Sequence, residues 1–161
     1  MMLDTVDRIL AQWEEARPDL DCRPMGIFGR ISRAGRVFGS RMEQVFEKEG
    51  LSTIEFDILA TLRRSQVPLT PTQLYQTLML SSGAMSTRID QLVKRGLLQR
   101  QASDEDRRSN RVALTVAGRR LIDTTLEAHV ENQHRMASAL DSDEQHQLAC
   151  LLRKLMTDEE R

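Results

Sequence analysis

The residues between Ser81 and Arg111 carry the chemistry open to this sequence, and that chemistry is recognition rather than catalysis. Ser81 to Arg95 reads as a polar-starting helix closed by Gly96. Met85, Ile89 and Leu92 mark its buried side. At ~100° per residue, the opposite side carries Gly83, Thr87, Asp90, Gln91 and Lys94, with Ser86 at its edge. Hydroxyl and amide groups of this reach can meet base edges, and Lys94 can hold a phosphate. The unpaired N–H groups at Ser81, Ser82 and Gly83 offer a further phosphate seat. The same polarity also describes an ordinary solvated helix face. Beyond Gly96, Asp106, Arg107 and Arg108 sit in a charged turn between LLQRQ and RVALT, with Arg111 entering the return segment. An arginine at a hairpin tip can enter a narrow minor groove, where the negative potential is strongest, and Asp106 can pair with one of the two arginines to hold the other.

A helix followed by a basic-tipped hairpin is the outline of a winged helix, and the rest of the chain supplies its supports. Leu3, Val6, Ile9, Leu10 and Trp13 recur at helical spacing and stop before Pro18. Pro24 opens a longer stripe through Phe28, Ile31, Gly35, Phe38, Met42 and Val45, closed at Gly50. Ser52 with Glu55, Thr70 with Gln73 and Asp141 with Glu144 are capping-box pairs, and Thr115 is a further N-cap. The predicted class is mainly α: a winged helix-turn-helix over 51–115, N-terminal helices over 1–50 and C-terminal helices over 116–161, in one compact domain. The outer helices carry more apolar stripe than one small domain needs. That predicts a homodimer, which suits a palindromic DNA operator.

The net charge of −1 conceals an uneven distribution. Residues 86–120 hold nine Lys/Arg against four Asp/Glu, and residues 121–161 hold four against nine. The winged region is a basic patch on a neutral chain, as phosphate contact requires. No apolar run approaches the ~18 residues of a membrane span, and the N-terminus does not read as a signal peptide. Cys22 and Cys150 lie far apart without CxxC spacing, which fits a reducing cytoplasm and no disulfide framework. No phosphate loop, Ser-His-Asp or Cys-His pattern, cofactor motif or metal cluster is present. The reading is therefore not an enzyme, with no cofactor and no metal.

The pattern Asp106-x-Arg108-x5-Leu114-Thr115, preceded by GLLQR and followed by Gly118, resembles the MarR family of bacterial transcription regulators. So does PTQLYQTLMLSSGAMSTRIDQLVKRGLL before it, and the resemblance runs from about Arg30 to Leu155. It implies a dimeric winged-helix repressor, responsive to a small molecule, with Arg108 as the minor-groove arginine and Arg107 as its support.

A candidate switch begins at Asp57, a carboxylate in the nearly all-apolar run Ile54–Leu62, where an unpaired charge is expensive. Arg88, ~70° from the apolar centre of its helix, is placed to reach inward, and Arg100 is a second candidate partner. Together with Trp13 and the text WEEARPDLD, this set resembles the family's urate-responsive branch. The resemblance implies Trp13, Asp57, Arg88 and Arg100 around an aromatic anion such as urate. A core Trp with a buried Asp–Arg pair and no ligand fits the same residues. Three rivals stand beside this reading. One is a redox sensor at Cys22. Another is a metal response through His129, His134 and His146, whose spacing instead reads as exposed histidines on polar faces. The third is a helical protein-interaction module without DNA contact, which would lack salt-dependent duplex binding.

Overall fold

The structure is a computed structural model that describes residues 3–78, 82–102 and 110–157; the side chains at 82–84, 102 and 110 are not described. Its elements are α1 (Thr5–Ala16), α2 (Arg23–Lys48), α3 (Thr53–Ser65), α4 (Pro71–Leu78), α5 (Ser82–Lys94), β1 (Leu98–Ala102), β2 (Asn110–Leu114), α6 (Val116–Ala137) and α7 (Ser142–Thr157). Where the described residues show them, the predicted boundaries hold to within a residue or two; the expected end of α4 at Met79 or Leu80 and the expected start of α5 at Ser81 lie outside the described residues. Ser52 and Glu55, Thr70 and Gln73, and Asp141 and Glu144 exchange their side-chain-to-backbone bonds at 2.8–3.3 Å. A fourth box, unforeseen, joins Asp4 and Asp7 at 2.9 Å in both directions.

Where the sequence predicts one compact domain, the chain falls into two compact units, Met1–Met42 and Glu43–Arg161. Within the first, only Val6 and Gly26 are buried among the described residues. Arg30 of α2 reaches back to Asp4, the N-cap of α1, at 2.9 Å and to Asp7 in its first turn at 2.7 Å. On the α2 stripe, Phe28, Ile31 and Phe38 are exposed.

The second unit holds the core. Leu51, Ile58, Leu59, Leu74, Met85, Ile89, Leu92, Leu98, Val112 and Ile122 are fully or almost fully buried. Apart from Leu51, which lies just before α3, they come from α3, α4, α5, both strands and α6, so the helix-turn-helix and the base of the wing share one interior. β1 and β2 pair antiparallel, with Leu98 opposite Leu114 and Arg100 opposite Val112. Leu69 adds an isolated bridge to Val112 at 3.1 and 2.7 Å, an anchor between α3 and α4 that no sequence motif announces. Thr115 caps α6 and binds it to the start of the wing. Its hydroxyl accepts from Gly118 N at 3.0 Å and contacts the carbonyls of Gly96 and Leu97 at 2.7 and 3.1 Å. The apolar residues Leu126 and Val130 of α6 and Leu148, Leu151, Leu152, Leu155 and Met156 of α7 are exposed among the described residues.

Candidate nucleic-acid interface and effector cavity

The fifth helix divides as its 3.6-residue period requires. Met85, Ile89 and Leu92 face the core, while Ser86, Thr87, Asp90, Gln91 and Lys94 lie on its outer side. Ser82 and Gly83 lie in the first turn of α5. Ser81, Arg107 and Arg108 lie outside the described residues. Arg111, expected at the wing, is half-buried on β2, and its Nε is shielded from solvent with no hydrogen-bond partner among the described residues.

Arg88 and Arg100 sit differently from the inward placement that the sequence suggests. Arg88 donates to Gln91 Oε1 at 3.2 Å, one turn along its own helix. From the edge of the apolar face, a long guanidinium side chain lies along the helix surface more cheaply than it enters the core. Arg100 shares a strand face with Leu98 and donates to Asp90 Oδ1 at 2.7 Å, bracing the wing against the exposed side of α5. The charged groups that act on Asp57 are instead Arg64 and His129. Trp13 is 41% exposed on α1.

His129 corrects the expectation of three exposed polar-face histidines. It lies one heptad after Ile122, on the stripe that also buries Thr125, and its ring packs against a stacked Phe46–Phe56 pair. The centroid distances are 4.1 Å between the two phenylalanines and 5.0 and 5.1 Å from them to the imidazole. Its Nδ1 is buried with no hydrogen-bond partner. The seven-residue step from Ile122 is a signal visible in the sequence. The phenylalanines, on other helices, are not.

Phe56 and His129 border a cavity of about 210 Å³ between α3 and α6, lined also by Ala60, Arg63, Arg64, Ile122 and Leu126. Arg63 is held by Asp123 at 2.7 Å, and Arg64 donates to Thr61 at 3.0 Å. The result is an apolar slot with cationic groups at its margin. Burial pushes the His129 imidazole below its ordinary range, against the opposing pull of the Asp57 carboxylate. Burial likewise pushes the Asp57 carboxyl up, offset in part by Arg64 and His129.

The pH dependence follows from these directions. The unfolded chain takes up a proton on His129 near pH ~6.5 while the native chain still resists it. Native stability is therefore retained above that pH and falls as the pH drops from it toward the lowered native value. Asp57 acts in a lower window, between its unfolded value near ~3.9 and its raised native value, where acidification relieves the cost of its charge. Urea midpoints measured across this range should decline on acidification from neutrality, and His129→Phe should flatten that decline. An identical slope in the variant would mean that another group carries it.

A second ion pair has no signature in the sequence: Arg95, just beyond α5, donates to Glu55 at 3.1 Å and to the Gly50 carbonyl at 2.9 Å. Glu55 is visible there only as a capping residue, and nothing local points from it to Arg95.

Comparison with known proteins places this geometry among regulators. The MarR family profile matches residues 49–109. The chain is 40% identical over 149 residues to the HTH-type transcriptional regulator PecS of Dickeya dadantii, covering 91% of this chain and 90% of that protein. It is 28% identical to the HTH-type transcriptional regulator MhqR of Bacillus subtilis, over 83% of this chain and 91% of the other. Among solved structures, a mutant MarR from E. coli complexed with operator DNA superposes with a TM-score of 0.71 at 22% identity, covering 89% of this chain and 96% of that one. The S. aureus MepR–DNA complex gives 0.69 at 21%, covering 79% and 96%. At these identities the two structures establish a shared fold.

Proposed function

This chain belongs to the MarR family of DNA-binding transcription regulators, which are not enzymes, and we propose that it is a ligand-responsive repressor binding a palindromic operator as a homodimer. The observation that carries the DNA reading is the division of α5, with its apolar side fully buried and Ser86, Thr87, Gln91 and Lys94 on the outer side. Ser82 and Gly83 in the first turn of that helix, with Ser81 before them in sequence, would seat a phosphate. Arg107, Arg108 and Arg111 of the wing would contact the neighbouring groove. The uncovered apolar residues of α2, α6 and α7 support self-association, since exposed apolar faces of this extent mark interaction sites. The DNA complexes of MarR and MepR, which share the fold, support the same partner.

The effector is a small aromatic anion. The cavity, at about 210 Å³, is below the ~300 Å³ lower end of drug-sized sites. It therefore suits one compact ring system, with Arg64 at the margin to meet a negative charge. Of the set implied by the resemblance, Asp57 adjoins this slot electrostatically, while Arg88 and Arg100 can join a ligand only by leaving Gln91 and Asp90. That exchange would give a ligand unequal affinity for the bound and released states, which a switch requires. Urate is the first compound to test. Titrated into a complex with a duplex enriched from a random pool, it should displace the protein. No release at millimolar urate would remove urate as the effector.

A further inference from the structure

We propose that Arg95 is a positioning residue for DNA reading: with Glu55 and the Gly50 carbonyl it clamps the end of the recognition helix to the corner where α2 turns into α3. The proposal rests on the reading of α5 as the recognition helix and adds what fixes its orientation.

Both helix ends at this junction close in the same way. At the end of α2, Gly50 has φ +66°, Gly50 N donates to Glu47 O at 2.9 Å and Leu51 N to Phe46 O at 2.9 Å. At the end of α5, Gly96 N donates to Val93 O at 2.9 Å and Leu97 N to Leu92 O at 3.0 Å. This pair of bonds is the Schellman closure, and it turns the chain sharply while leaving carbonyls at the negative end of the helix dipole. The Gly50 carbonyl lies just past this end, in the turn that the closure makes, and the Arg95 guanidinium meets it.

Glu55 completes the clamp because its two oxygens serve different elements. Oε2 accepts from Ser52 N and Ser52 Oγ at 2.8 and 3.0 Å, which caps α3. Oε1 accepts from Arg95 at 3.1 Å. The carboxylate side chain is only 9% exposed, so its charge has little water to compensate it, whereas Arg95 is 39% exposed. A buried, fully engaged carboxylate holds its partner in one place far better than a surface pair would. One arginine thus joins the end of α5 to the cap of α3 and to the turn that follows α2. A planar fork can make both bonds at once; a lysine has a single nitrogen to divide between them. The readers Gln91 and Lys94 are the residues just before this anchor, so its loss should change how they meet DNA without removing either.

The test uses the full-length protein and a duplex that the wild type enriches from a random pool, compared with a scrambled duplex over a salt series. Arg95→Gln should lower the preference for the selected duplex roughly tenfold, the order of one mismatched base pair. Its affinity for scrambled DNA and its salt slope should be retained. Glu55→Gln should give the same loss, the double variant no more than either alone, and Arg95→Lys an intermediate one. Circular dichroism would confirm folding; should Arg95→Gln fail to fold, Arg95→Lys and Glu55→Gln carry the comparison. A salt slope reduced by about one would show that Arg95 touches a phosphate itself, overturning the proposal. So would undiminished discrimination, or additive losses in the double variant. If the wild type enriches no duplex, the DNA reading itself fails, and this proposal with it.

Discussion

Gly118→Ala is expected to destabilise the folded chain by about 3 kcal/mol, at the upper end for overpacking a closed interior. Helix propensity alone predicts the opposite sign, since Gly to Ala inside a helix gains roughly 0.5–1 kcal/mol. The steric term decides. A Cβ at Gly118 would collide with the Leu97 carbonyl oxygen and stand 2.9 Å from its carbon. Both are backbone atoms and cannot swing aside. Nor can the backbone move cheaply, because Leu97 O also accepts from Thr115 N at 3.1 Å and Leu97 N is held by Leu92 O. Relief would require lifting the first turn of α6 away from the start of β1, losing the Thr115 cap in the process. Urea unfolding followed by circular dichroism measures the change directly. A neutral or stabilised variant would show that α6 and the wing do not approach this closely, and would remove the reason for glycine in the Leu114-Thr115-x-x-Gly118 sequence.

Caps and braces differ in how far the sequence reveals them. Caps are local: Ser52 with Glu55, Thr70 with Gln73 and Asp141 with Glu144 each lie within one turn, so sequence spacing reports their geometry. The Asp4–Asp7 box is harder to see because its N3 residue is the shorter acid, not the Glu or Gln of the usual pattern. Long-range partners are a different matter. The angular position of Arg88 on α5 is legible, yet angle fixes only where a side chain leaves the helix, and its length allows it to lie back on Gln91. The spacing of His129 from other histidines says little, because the deciding neighbours are Phe46 and Phe56 on helices far away in sequence. Glu55 and Arg95 are each visible as helix-end residues, but their meeting depends on two helix ends being brought together by the fold. The polar face of the recognition helix is legible from periodicity. What braces that face is not, because bracing is tertiary.

That distinction predicts a separation between two residues two positions apart on the same helix. Ile89 is 0% exposed, and Ile89→Ala should cost about 2–5 kcal/mol of stability through lost burial and an unfilled cavity. Gln91 is exposed, so Gln91→Ala should change stability by no more than about 0.5 kcal/mol. On an enriched duplex the order should reverse. Gln91→Ala removes a side chain able to bridge an adenine edge, and should weaken selective binding by about 1–3 kcal/mol. Folded Ile89→Ala protein presents the same exposed groups and should retain most of its affinity once the unfolded fraction is allowed for. Urea melts and fluorescence anisotropy on the two variants place them on separate axes. If Gln91→Ala bound like the wild type, base reading would have to be moved toward Ser86 and Thr87 nearer the start of α5. If Ile89→Ala lost affinity in proportion to Gln91→Ala while still folded, the buried side would be setting the pitch of the helix as well as its stability, and the clamp at Arg95 would not be sufficient to hold it.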